Sequence, residues 1–172
     1  MPLINSTVFI GEISIANRDQ PAVQSAIAIF IAKYEPKFLK QLMGETMYAD
    51  YLLGIDEDPI PEKWIVLQDL CKPALASYVY YWYIRDQVSQ TVGMGQVKPA
   101  GENGTIVTPA YKMVRAWNEM VDEVHEIARY IHNHPEDYGT YYAYWNYWGW
   151  WGNTYYCRYR AEIFYPINTM NI

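Results

Sequence analysis

The sequence predicts a mainly α-helical protein: a small bundle of about four helices, with a protruding Gly-rich loop or hairpin and extended N- and C-terminal arms. Three observations predict it. Met113, Trp117, Met120, Val124, Ile127 and Ile131 recur at spacings of four, three, four, three and four, which is the period of one helix face. Trp64, Leu67, Cys71, Leu75, Tyr78 and Trp82 recur at threes and fours in the same way. Between such stripes stand Pro21, Gly44, Gly54, Pro61 and Pro109, the residues that start and stop helices.

Residues 1–17 lack that period. Val8, Ile10 and Glu12 alternate with Phe9, Gly11, Ile13 and Ile15, which predicts a short strand or an arm that pairs with a neighbour or crosses its own domain. The first helix is expected near Asp19, capped by Asp19 or Gln20, with Pro21 in the first helical position. Val23, Ile27, Phe30, Ile31 and Tyr34 form its apolar stripe, and Pro36 places a kink or restart there. Phe38, Leu39 and Leu42 carry the face on to Gly44, a stop. A short helix over Glu45–Leu53, with Met47, Tyr48, Tyr51 and Leu52 inward, ends at Gly54.

After a polar turn at Asp56–Pro61, a long helix is expected from about Pro61 towards Gln90, bent at Pro73. Its second half, Tyr78 to Tyr83, is aromatic or apolar on all sides, so it is expected to be buried on more than one side. The loop 91–107 carries Gly93, Gly95, Gly101 and Gly104. Gln96-Val97-Lys98 and Thr105-Ile106-Val107 are expected to pair as a hairpin across Gly101–Gly104. Loops of this length between helices are often functional. The next helix is capped by Thr108 with Pro109 first, and Asn133-His134-Pro135 stops it. The remainder, 135–172, is Tyr/Trp-rich and broken by Gly139, Gly149 and Gly152. It reads as an arm lying over aromatic surface, with a strand in the region of Tyr155 to Tyr165. The organisation is therefore one domain over 1–172: arm 1–17, helical core 18–134 with loop 91–107, and arm 135–172.

Composition narrows the function. The chain of 172 residues carries 18 Tyr and 7 Trp but 4 Phe, a bias that suits either side chains that meet partners or a Tyr-heavy core with a few exposed rings. Net charge is −6 and the pI is about 5.0, without any Lys/Arg run, so the footprint of a nucleic-acid binder is missing. No apolar run reaches the length of a membrane span, so no membrane is expected. Cys71 and Cys157 fit no metal or redox motif and read as reduced core thiols.

No catalytic constellation stands out. There is no GxSxG, no phosphate loop and no GxGxxG. The order Glu123-Val124-His125-Glu126 lacks the ExxH pair of a carboxylate-bridged metal site. His125, His132 and His134 with nearby acids read as surface or capping residues rather than ligands. Neither an enzyme nor a cofactor is expected. Tyr144, Trp145, Trp148, Trp150 and Trp151 of the second arm are candidate contact residues. They also support an alternative reading, a monomeric binding module that stacks carbohydrate on those rings. Arg85, Asp86 and Arg115, at the facing ends of two helices, are candidates for inter-subunit polar pairs or for an intramolecular network.

Residues 32–55 and 75–121 carry a resemblance. Within them Tyr80-Tyr81-Trp82-Tyr83-Ile84-Arg85-Asp86, the Gly-rich loop with Glu102-Asn103, and Lys112-Met113-Val114-Arg115-Ala116-Trp117-Asn118-Glu119-Met120 are the matching motifs. They resemble the head–tail connector (adaptor, or neck-ring) proteins of tailed bacteriophages, of the type found with Bacteroidales hosts. The likeness covers roughly residues 15–132 and leaves out the aromatic tail. It implies a structural virion protein, assembled in the bacterial host cytoplasm. Copies would form a homo-oligomeric ring, a dodecamer, between the portal protein and the other neck and tail proteins. Such a ring lines the channel and passes DNA without sequence-specific binding, which suits an acidic chain. In this frame the loop meets a neighbour, through Gln96, Lys98, Glu102, Asn103 and Ile106.

Overall fold

The computed structural model describes residues 2–87, 90–92, 95–97, 109–142 and 164, with the side chains of 90–92, 95–97, 140 and 142 excepted. It is a small, mostly helical bundle of four helices among the described residues: α1 (Pro21–Gly54), α2 (Glu62–Gln87), α3 (Ala110–Asn133) and α4 (Pro135–Tyr142). Two short antiparallel strands, β1 (Gln90–Val92) and β2 (Gly95–Val97), follow α2.

The N-terminal arm forms no strand. It makes two 3₁₀ turns, Ser6–Val8 and Gly11–Ile13. A lone strand leaves its backbone groups unpaired. Local bonds win here: the Asn5 side chain accepts from the Thr7 N–H at 2.9 Å, and Gly11 sits at φ 60°. The arm crosses its own domain, burying Ile4, Phe9 and Ile15, residues five and six apart rather than two. Each such burial stabilises by about 1.5–3 kcal/mol.

α1 starts with Pro21 in its first turn, as expected, but its N-cap is Gln20 and no side chain caps it. It runs through Pro36 without a restart and kinks at Gly44 (φ 79°, ψ 170°), the expected stop, in a left-handed conformation that glycine adopts without steric cost. Ile27, Ile31, Tyr34, Phe38, Leu39, Leu42, Met43, Met47 and Tyr51 form the buried stripe, whereas Leu52, expected inward, is exposed.

α2 is the central helix. Every residue from Ala74 to Tyr81 is buried, because α1 packs on one side of it and α3 on the other. It runs through Pro73. It ends at Gln87 rather than approaching Gln90, which belongs to β1. The hairpin pairs Gln90 with Val97, Thr91 with Gln96 and Val92 with Gly95. The expected pairing of 96–98 with 105–107 falls largely outside the described residues, since Lys98 is not among them. Thr105, Ile106 and Val107 lie outside the described residues.

α3 buries Met113, Met120, Val124 and Ile127 of the expected stripe together with Ala116 and Val121, while Trp117 and Ile131 are half-buried; its N-cap is Pro109, one residue later than expected. The first part of the second arm is a correction. Pro135 does end α3, but it also opens α4, since proline suits a first helical position where its missing N–H is not needed. Tyr138 of α4 is fully buried, and its hydroxyl donates to the Lys63 carbonyl oxygen at 2.8 Å. Buried residues of the arm, the four helices and Phe164 belong to one hydrophobic cluster.

Candidate functional site

The most concentrated chemistry is an aromatic seam where α1, α2 and α3 meet. Tyr34 stacks on Trp82 at 5.1 Å with the rings 7° from parallel, and Phe30 meets Tyr83 edge-on at 5.4 Å. Tyr81 and Tyr78 lie 4.8 Å and 6.1 Å from Trp117 of α3. Phe164 closes the seam, 5.6 Å from Phe38, 6.1 Å from Tyr78 and 6.4 Å from Trp117. Lys33 and Lys37 place their ammonium groups 5.1 Å and 5.4 Å over the Tyr34 ring. Burial raises the phenol pKa of Tyr78, Tyr80 and Tyr83. The seam is a packed core and offers no protonatable pair for acid–base work.

The second feature is the way the N-terminal arm is tied down. Both carboxylate oxygens of Glu35 accept from the Leu3 N–H, at 3.2 Å and 3.0 Å. Burial raises the Glu35 pKa, and the bond from Leu3 opposes that rise. Arg18 Nη1 donates to the carbonyls of Phe9 at 2.8 Å and Thr7 at 3.4 Å. Arg115 bridges the arm to α3: its guanidinium pairs with Glu12 and, through Nε at 3.0 Å, with Glu119.

That places the three polar candidates. Arg115 is engaged inside the chain, as an intramolecular network requires. Arg85 is exposed at the end of α2, its guanidinium 5.1 Å over the Trp82 ring, and Asp86 is exposed beside it. Arg85 and Arg115 engage different partners. Of the loop candidates, Gln96 lies in β2, paired in register with Thr91. Lys98, Glu102, Asn103 and Ile106 lie outside the described residues, as do Tyr144, Trp145, Trp148, Trp150 and Trp151. The strand expected over Tyr155 to Tyr165 lies outside them too, except for Phe164.

Among the histidines, His134 closes α3. Its Nδ1–H donates to the Tyr130 carbonyl at 2.8 Å, and its ring stacks 4.0 Å from that of Tyr130. His125 is exposed and His132 half-buried. Among the described residues no group of three His, Cys, Asp or Glu is placed to hold a metal ion. Cys71 is a free, fully buried thiol whose pKa burial pushes up to about 12, so it is held protonated. No described helix is long and apolar enough to cross a membrane.

Sequence reasoning missed Tyr138, Glu35 and Phe164. Pro135 in the first position of a helix was the available signal for Tyr138. Glu35 and Phe164 act through contacts with residues 32 and some 47 to 126 positions away, which no local pattern records. No protein-family model, no curated protein and no solved structure matches the chain.

Proposed function

We propose that the chain is a ring-forming head–tail connector of a tailed bacteriophage, a non-enzymatic structural protein that joins the portal vertex to the tail and lines the DNA channel. The observation that carries this reading is the sequence likeness in residues 32–55 and 75–121. Those stretches correspond to the later part of α1, the second half of α2 and the first half of α3, with the segment between α2 and α3. They supply the most heavily buried part of the molecule, a rigid frame suited to side-by-side repetition.

Two further features support it. The net charge of −6 suits a channel that passes DNA without holding it. Large apolar side chains stand on the outside of the frame: Ile29 is 67% exposed, Leu53 69% and Tyr111 72%. Such residues are where neighbouring copies, the portal protein or other neck proteins would pack. The protein would be found at the neck of the virion, after assembly in the bacterial host cytoplasm.

Native mass spectrometry of the purified protein, alone and with the portal protein, tests the reading. A closed oligomer of defined stoichiometry, a dodecamer on the family pattern, or a stable complex with the portal is the expected result. A chain that stays monomeric across the accessible concentration range and never associates with portal rings would sink the proposal.

A further inference from the structure

A groove of about 530 Å³ opens between the N-terminal arm, α2 and α3. Ile10 and Ile13 of the arm and Pro73 and Ala76 of α2 give it an apolar lining. Its volume falls within the about 300–1,000 Å³ of typical ligand sites. Four charged side chains also line it: Glu12, Glu119, Glu123 and Lys72.

These charges are unequally matched. Glu12 and Glu119 share Arg115, and Lys72 is held by Asp69 at 2.6 Å. Glu123 has no ion pair among the described residues. Partial burial raises its pKa, and the neighbouring carboxylates Glu126, Asp122 and Glu119 raise it further. A carboxylate in this position, partly desolvated and facing like charge, gains most from a cation brought to it in an apolar setting. The lining supplies that setting, because a lysine or arginine stem lies favourably along apolar surface while its head meets the charge.

We propose that this groove docks a segment of a partner protein that presents a lysine or arginine beside an aliphatic side chain. The cation pairs with Glu123, and the aliphatic group packs on Ile13, Pro73 and Ala76. Ile10, 58% exposed, extends the apolar surface for the docked segment. The proposal stands apart from the ring reading, since one copy of the chain supplies the whole groove.

Fluorescence anisotropy with a dye-labelled peptide tests it on the full chain. The probe is acetyl-Ile-Lys-Ile-Lys-amide, compared with the same peptide carrying glutamine for lysine. Saturable binding is expected for the lysine peptide, about tenfold tighter than for the glutamine peptide, the factor a charge-assisted bond supplies. The preference should shrink as salt is added. Glu123→Gln should erase the preference; it relieves like-charge repulsion, so the fold should tolerate it. Lys72→Gln should tighten the lysine peptide a few-fold by removing a competing positive charge. Absence of saturable binding, equal binding of the two peptides, or a preference that survives Glu123→Gln would each overturn the proposal. None of these readouts depends on whether copies of the chain assemble.

Discussion

Gly54→Ala separates two opposite physical expectations. Gly54 is the last residue of α1, and it is buried against Trp64 of α2. As a helical residue it should gain from alanine, by up to about 1 kcal/mol. A Cβ at this position would, however, lie 2.0 Å from Trp64 Nε1 and 2.3 Å from its Cδ1. Ordinary contact is about 3.5–4 Å, so the indole or the helix end must move by about 1.5 Å. The indole has little room to do so. Trp64 is 2% exposed and is flanked by Tyr51 at 5.7 Å, Tyr138 at 6.2 Å and Tyr141 at 6.4 Å. Overpacking of this kind costs about 1–3 kcal/mol, so after a full helical gain of about 1 kcal/mol a net loss of up to about 2 kcal/mol is expected. For a chain of this length that is a fall in Tm of up to about 8 °C. Differential scanning calorimetry reads it. In a Trp64→Leu background, which leaves room for the methyl group, the same substitution should become neutral or stabilising. A Gly54→Ala protein that melts higher than the parent would refute the packing argument and leave helix propensity as the governing term.

Two other expectations follow from the core. Phe164→Ala empties the position between Phe38, Tyr78 and Trp117 and should cost about 3–5 kcal/mol in urea unfolding. A loss below about 1 kcal/mol would mean that those rings close over the gap or that Phe164 is not a fixed part of the core. Stability should also fall at high pH. Burial pushes the Cys71 thiol up to about 12, and burial and the Asp50 carboxylate push the Tyr141 phenol up to about 12. Tyr138 is shifted in the same direction, by burial first. Each group is held protonated in the folded chain while the unfolded chain ionises first. Their contribution is therefore fully present below about pH 9 and is lost as pH rises, most steeply for the fully buried Cys71 thiol and less for the two phenols, which solvent screens in part. Urea midpoints that stay constant from pH 9 to pH 11 would contradict this.

The periodic parts of the fold were legible in the sequence. The α3 stripe and the all-round burial of α2 follow from the spacing and kind of their apolar residues. Misreadings came where a residue's local preference has two outcomes. Pro36 could kink or restart its helix, and the helix continues through it, because packing against the core outweighs one lost backbone bond. At Gly44 the helix takes the non-helical conformation that glycine permits. Pro135 stops one helix and starts another, and only the first role was evident from the Asn133-His134 context. In the arm, alternation of apolar residues suggested a strand, but alternation specifies a face only when a sheet exists to present it. The interaction candidates fared differently. Arg115 could not be assigned from sequence because its partner Glu12 lies over a hundred residues away.

The aromatic excess left two readings open, a contact surface or a Tyr-heavy core with a few exposed rings. Most of the described rings pack against one another: Tyr34, Tyr51, Tyr78, Tyr80, Tyr81, Tyr83, Tyr138 and Trp64 are buried. This changes how assembly has to be tested. Substitutions along Tyr78 to Tyr83 would remove core contacts from both α1 and α3 and would report on folding whatever the protein assembles with. Ile29, Leu53 and Tyr111 are better probes, since each is more than two-thirds exposed and contributes little to the interior. A charged residue at any of them should leave the melting temperature close to the parent's, because surface substitutions away from special features usually stay within about 0.5 kcal/mol. A change in oligomeric state at unchanged stability would then identify that face as an interface, a distinction that no variant in the aromatic seam can make.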